Sequence, residues 1–153
     1  MKKHQLDPVP DANGIYIFSP SSAVADPSTL VRAESCLTKM GFKVAIDRTA
    51  LAQHQRFAGT DTQRLAAFSR SIKQKLPIVM ASRGGYGIGR LFPSLDWKAL
   101  ESSGKRFIGQ SDFTAFSLAL LAKTGMISYA GPTACFDFGA AKPEILTMEI
   151  FGE

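Results

Sequence analysis

The feature that most constrains this chain is an alternation between short, β-rich apolar runs and longer amphipathic stretches. Gly14-Ile15-Tyr16-Ile17-Phe18 reads as a buried strand ending in the loop Ser19-Pro20-Ser21-Ser22. Asp26-Pro27 then opens a helix, with Asp26 as N-cap, Leu30, Val31, Leu37 and Met40 as its apolar face, and Gly41 as its stop. Phe42 to Ile46, Pro77 to Ala81, Arg106 to Gly109 and Met126 to Ala130 repeat the strand pattern. Residues 47–59 read as a polar loop. A helix capped by Thr60 or Asp61 follows, with a stripe of Leu65, Ala66, Phe68 and Ile72. Another runs from about Asp112 to Lys123 with Phe113, Phe116, Leu118, Ala119 and Leu121. Strand followed by helix, repeated, predicts an α/β fold. Its parallel β-sheet has about five strands, with right-handed crossovers and helices on both faces. In such sheets the functional loops lie beyond the carboxyl ends of the strands.

Composition narrows the function classes. The 153 residues are 45% hydrophobic and 20% charged, which suits a globular domain. No stretch approaches the roughly 18 apolar residues of a membrane span. Met1-Lys2-Lys3-His4 is basic, but Gln5-Leu6-Asp7-Pro8-Val9-Pro10 stands where a signal peptide needs its apolar core, so the cytoplasm is the expected address. Lys plus Arg (18) exceed Asp plus Glu (13), a net charge of +5. The basic residues are scattered apart from Arg64, Arg70, Lys73 and Lys75, read as a solvated helix face rather than a nucleic-acid footprint. Cys36 and Cys135 lack metal-type spacing and read as two unrelated reduced thiols, so zinc is not supported; no cofactor is expected.

Two loops carry chemistry. Ser82-Arg83-Gly84-Gly85-Tyr86-Gly87-Ile88-Gly89-Arg90 follows the third strand. Its glycines permit positive φ and expose backbone N–H groups able to hold an anion or an oxyanion. Arg90 occupies the place of the third glycine of a dinucleotide fingerprint, and no Lys-Ser or Lys-Thr pair completes a P-loop. A tight turn without function is the plainer alternative. The second loop, Gly109-Gln110-Ser111-Asp112-Phe113, ends a strand in Gly-x-Ser and starts a helix at once, the arrangement of a nucleophile elbow. Ser111 as a simple helix cap explains that loop equally well. A hydroxyl on one loop facing N–H groups on the other is half of an acyl-transfer site.

With Phe57-Ala58-Gly59-Thr60-Asp61, Arg90-Leu91, Leu95-Asp96 and Gly131-Pro132, these stretches resemble the LD-carboxypeptidase family of serine peptidases. That family comprises muramoyltetrapeptide carboxypeptidases and the related microcin-immunity peptidases. The resemblance implies Ser111 as nucleophile, the backbone N–H groups of Gly85 and Asp112 as oxyanion hole, and Arg83, Gly84 and Tyr86 on the substrate side. It implies cleavage of the terminal D-alanine from murein tetrapeptides in peptidoglycan recycling, without metal, by a protein that forms homodimers. Family members take the Glu and His of the triad from a C-terminal domain. The expected organisation is therefore a nucleophile-bearing domain over residues 1–135 and, over 136–153, the start of a linker to that domain. Thr147 to Phe151 could form one more strand. His4 and His54 read as surface residues, not substitutes for the missing base, so the chain alone is expected to be nearly inactive. A non-catalytic peptide-binding module and, less directly, a nucleotide-dependent enzyme are the competing classes.

Overall fold

Alternation along each strand decides which side of the sheet it feeds. In the computed structural model, which describes residues 13–152, β1 (Gly14–Phe18) is buried along its whole length. Tyr16 and Phe18 enter one core and Ile15 and Ile17 the other, as a period of two requires. The chain continues through α1 (Ser28–Lys39), β2 (Lys43–Ile46), α2 (Asp61–Lys73), β3 (Ile78–Ala81) and a 3-10 turn (Ile88–Ser94). Then come α3 (Trp97–Ser102), β4 (Arg106–Gly109), α4 (Phe113–Thr124), β5 (Tyr129–Ala130), a π-helical turn (Ala134–Phe138) and α5 (Ile145–Gly152). The five strands form one sheet in the order β2-β1-β3-β4-β5, and every pairing is parallel. The expected α/β fold is the observed one.

One core lies between the sheet and α2, α3 and α4, through Phe68, Leu100, Phe113, Phe116 and Leu120. The other lies under α1 and the π-helical turn, through Leu30, Ala33, Leu37 and Phe138. Because β1 has β2 on one side and β3 on the other, the winding reverses at the β1/β3 boundary. A crevice opens outside the carboxyl ends of the strands at such a boundary. Among the described residues, no helix is long and apolar enough to cross a membrane.

Several local expectations change. Helix α1 starts at Ser28, and the Asp26 carboxylate accepts from the Ser28 N–H at 2.9 Å. Its buried face is Leu30, Ala33 and Leu37, while Val31 is 65% exposed. Thr60 does cap α2, in a reciprocal capping box with Gln63. Phe113, Phe116 and Leu120 are the buried positions of α4, and Leu118 and Leu121 face outward. The stretch Thr147 to Phe151 is part of helix α5, not a strand. Met148 and Phe151, three apart, both pack on the second core, a spacing that only a helix brings to one face. Phe138 is 1% exposed and Phe151 packs on it at 5.0 Å between ring centroids, so these two residues join the second core.

The predicted solvated basic face is also corrected. Arg64 is 0% exposed, and Arg70 turns inward to make a two-pronged pair with Asp47 at 2.7 and 2.8 Å. Burial alone pushes the Asp47 carboxyl up. Hydrogen bonds from Arg70, Thr49 and Tyr16 outweigh it and hold the group well below the usual carboxylate range. A lowered folded-state pKa contributes stability above the unfolded value of about 3.9, lost as pH falls through the folded value. Asp47→Asn should therefore cost about 3 kcal/mol at pH 7, because Arg70 and Tyr16 lose their buried acceptor. Urea unfolding should show this gap narrowing steadily below about pH 4. A gap independent of pH would contradict the assignment.

Candidate active site

The loop after β3 and the loop after β4 are neighbours because their strands are hydrogen-bonded partners, with Met80 opposite Ile108. Gly109 lets β4 turn into α4 without a gap: a Cβ there would lie 2.6 Å from the Phe113 ring. Ser111 sits at the apex of this turn. Its φ is +63°, the left-handed region that costs a residue with a side chain about 1 kcal/mol, and its side chain is exposed. No side chain caps α4; its first turn is tied by backbone bonds from Phe113 N to Gln110 O and from Thr114 N to Ser111 O. The hydroxyl is therefore not spent on capping the helix.

Gly84 lies directly against this apex. A Cβ at Gly84 would fall 2.7 Å from Ser111 Cβ, 2.9 Å from its Oγ and 3.2 Å from the Asp112 backbone nitrogen. Gly85 follows with φ +103°, and a Cβ there would overlap Ser22, whose Oγ would be 2.2 Å away. That same Ser22 hydroxyl accepts from the Tyr86 N–H at 3.0 Å, and Ser22 N donates to Gly84 O at 3.3 Å. The N–H groups of Gly85 and Asp112 make no hydrogen bond among the described residues. Gly85 lines the cleft with Ser111 and Asp112 follows Ser111 in the chain, so both N–H groups are candidate donors for an oxyanion. The cleft here, about 340 Å³, is lined by Arg83, Gly84, Gly85, Gln110, Ser111, Thr133 and Phe136.

The other site candidates divide. Arg83 and Gly84 line the cleft with Ser111. Tyr86 is 60% exposed and stacks on Phe57 at 6.3 Å, outside the residues that line it. His54 lines a different cleft, with Asp61 and Arg90 and without Ser111, and His4 falls outside the described residues. Cys36 and Cys135 are free thiols, and burial pushes both up from the ordinary value. Among the described residues no group of His, Cys, Asp and Glu is arranged to hold a metal.

Three contributors were not read from the sequence. The Asp112 carboxylate accepts from the Ile88 N–H at 3.0 Å and so clamps the end of the glycine loop to the start of α4. Ser22 braces Gly84 and Tyr86 from the β1 side. Arg64 reaches through the protein to the carbonyls of Pro20 and Gly87, both at 3.0 Å, and pairs with Asp61 at 2.6 Å. It ties the loops after β1 and β3 together. The Asp61–Arg64 spacing, one helical turn apart, was the available signal.

Residues 15–131 match the LD-carboxypeptidase N-terminal domain. The probable murein peptide carboxypeptidase of Bacillus subtilis is 30% identical over 126 residues, covering 82% of this chain and 39% of that protein. The crystal structure of muramoyltetrapeptide carboxypeptidase from Oxalobacter formigenes is 38% identical with a TM-score of 0.83, covering 90% of this chain and 46% of that one. The microcin C7 self-immunity protein MccF of Escherichia coli is 29% identical over 145 residues, covering 94% of this chain and 42% of that protein. MccF in complex with aspartyl sulfamoyl adenosine gives a TM-score of 0.86. The chain spans less than half the length of these relatives. On the match of residues 15–131 and the shared fold, the chain belongs to the LD-carboxypeptidase family, whose N-terminal domain it carries.

Proposed function

We propose that this chain provides the nucleophile half of a serine carboxypeptidase that removes the terminal D-alanine from murein tetrapeptides in cytoplasmic peptidoglycan recycling. The observation that carries the reading is Ser111 held at φ +63° on a strand-to-helix turn, with Gly84 packed against its hydroxyl. Ser111 Oγ attacks the scissile carbonyl, and the N–H groups of Gly85 and Asp112 receive the developing oxyanion. The leaving amine takes a proton, and water then releases the acyl group. The general base is a histidine oriented by a glutamate, both from the C-terminal domain. Two such proteins associate as a homodimer.

Because no imidazole faces Ser111 among the described residues, the 153-residue chain alone should release D-alanine about 10⁴-fold more slowly than a form containing the C-terminal domain. A D-alanine release assay on a murein tetrapeptide, run on both forms, tests this. Comparable rates would overturn the division of the triad, and no release from the long form would overturn the substrate. The MccF likeness favours a second reading, an aminoacyl-nucleotide substrate. The stacked Phe57–Tyr86 pair, with Arg56 5.9 Å from the Tyr86 ring, is an aromatic surface suited to a base. Hydrolysis of an aminoacyl nucleotide in preference to the tetrapeptide would select it.

A further inference from the structure

The Ser111 cleft shares a wall with a second one. Arg83 and Phe136 line both, and the second, about 260 Å³, continues along Asp26, Thr29, Arg32 and Cys135. Arg83 is underused. Its only side-chain hydrogen bond among the described residues runs from Nη1 to Ala23 O at 3.2 Å, its Nε is buried without a partner, and no carboxylate among the described residues pairs with it. A guanidinium has five donors, and an unmade bond on a buried donor is costly. Arg32, across the second cleft, is already occupied by Gly139 O at 2.7 Å and by Asp26 at 3.8 Å. Arg83 is the cation left to meet a ligand.

Its placement relative to the serine suggests which ligand group. Ser111 Oγ lies 2.9 Å from where a Cβ on Gly84 would be, and Arg83 Nη2 lies 3.7 Å from where a Cβ on Gly85 would be. Consecutive Cα atoms are about 3.8 Å apart, so hydroxyl and guanidinium border neighbouring residues of one loop. In a peptide, the terminal carboxylate also stands one residue beyond the last amide carbonyl.

We propose that Arg83 binds the free terminal carboxylate of the peptide whose scissile carbonyl sits at Ser111, and so restricts the site to chain ends. The proposal rests on the reading of Ser111 as nucleophile and adds a specificity residue to it. A carboxylate satisfies the free edge of the guanidinium with charge-assisted hydrogen bonds. A terminal amide, or a chain that continues, brings no charge and offers a single carbonyl oxygen, so it cannot make the two-pronged pair.

The test is an NMR titration of the 153-residue chain with N-acetyl-D-alanine and with its primary amide. The acid should bind about tenfold more tightly than the amide. Arg83→Gln should erase the difference, and Arg83→Lys, which keeps the charge without the planar fork, should retain part of it. Melting curves check that both variants fold. Equal binding of acid and amide, an acid preference that survives in Arg83→Gln, or no acid binding at all would each overturn the proposal. Failure of the nucleophile reading looks different: turnover by the long form that survives Ser111→Ala, with the acid preference in binding intact.

Discussion

Ser111→Ala, in a form of the protein that includes the C-terminal domain, should reduce D-alanine release by about 10⁴- to 10⁶-fold while leaving peptide binding in place. Among the described residues the exposed hydroxyl makes no hydrogen bond that supports the fold, so the melting temperature should barely move. Alanine must still adopt φ +63° and keeps the same backbone strain. Ser111→Gly relieves it and should raise stability by about 1 kcal/mol while being equally inactive. That pairing separates chemistry from folding: one variant is neutral, the other stabilised, and neither turns over. Turnover surviving in both would move the nucleophile elsewhere and favour the binding-module reading for this loop.

Gly84→Ala should lower kcat/KM by about 10²-fold through geometry alone. The new methyl would press on Ser111 Cβ at 2.7 Å, Oγ at 2.9 Å and the Asp112 backbone nitrogen at 3.2 Å. These atoms sit on a turn braced by the Asp112–Ile88 bond and by the start of α4, and cannot simply swing aside. The serine and a proposed oxyanion donor are displaced together. Gly89→Ala is the control. It lies in the same loop region, where a Cβ would meet nothing nearer than 4.0 Å, and it should leave both activity and stability almost unchanged. Equal losses in the two variants would mean that the loop tolerates no substitution at all, and that contact with Ser111 is not the cause.

Much of this site was legible because its chemistry is encoded locally. The Gly-x-Ser turn at Gly109–Ser111 and the glycines at 84 and 85 are needed where they stand by backbone geometry, and the residue types announce it. What escaped were long side chains acting at a distance. Arg64 looked like one of several cations on a helix face, yet it is buried and bonded to carbonyls 44 and 23 residues away in sequence. Arg70 likewise finds Asp47 across 23 residues. Helical periodicity places such residues around an axis, but burial depends on which neighbour covers that face. The same limit explains α5, whose short apolar run suits strand or helix until Phe138, Phe42 and Cys36 provide a surface for one face of it.

The sequence by itself determined the alternation of strands and helices, the parallel sheet and the two loops bearing glycines and serine, because each follows from local spacing and backbone allowance. Only the tertiary structure decided that these loops meet, that Ser111 takes a strained φ with its hydroxyl against Gly84, and that Arg83 retains an edge unpaired among the described residues. Those properties depend on the pairing of β1, β3 and β4, which brings together residues some 60 and 30 positions apart. No short-range pattern carries the resulting distances.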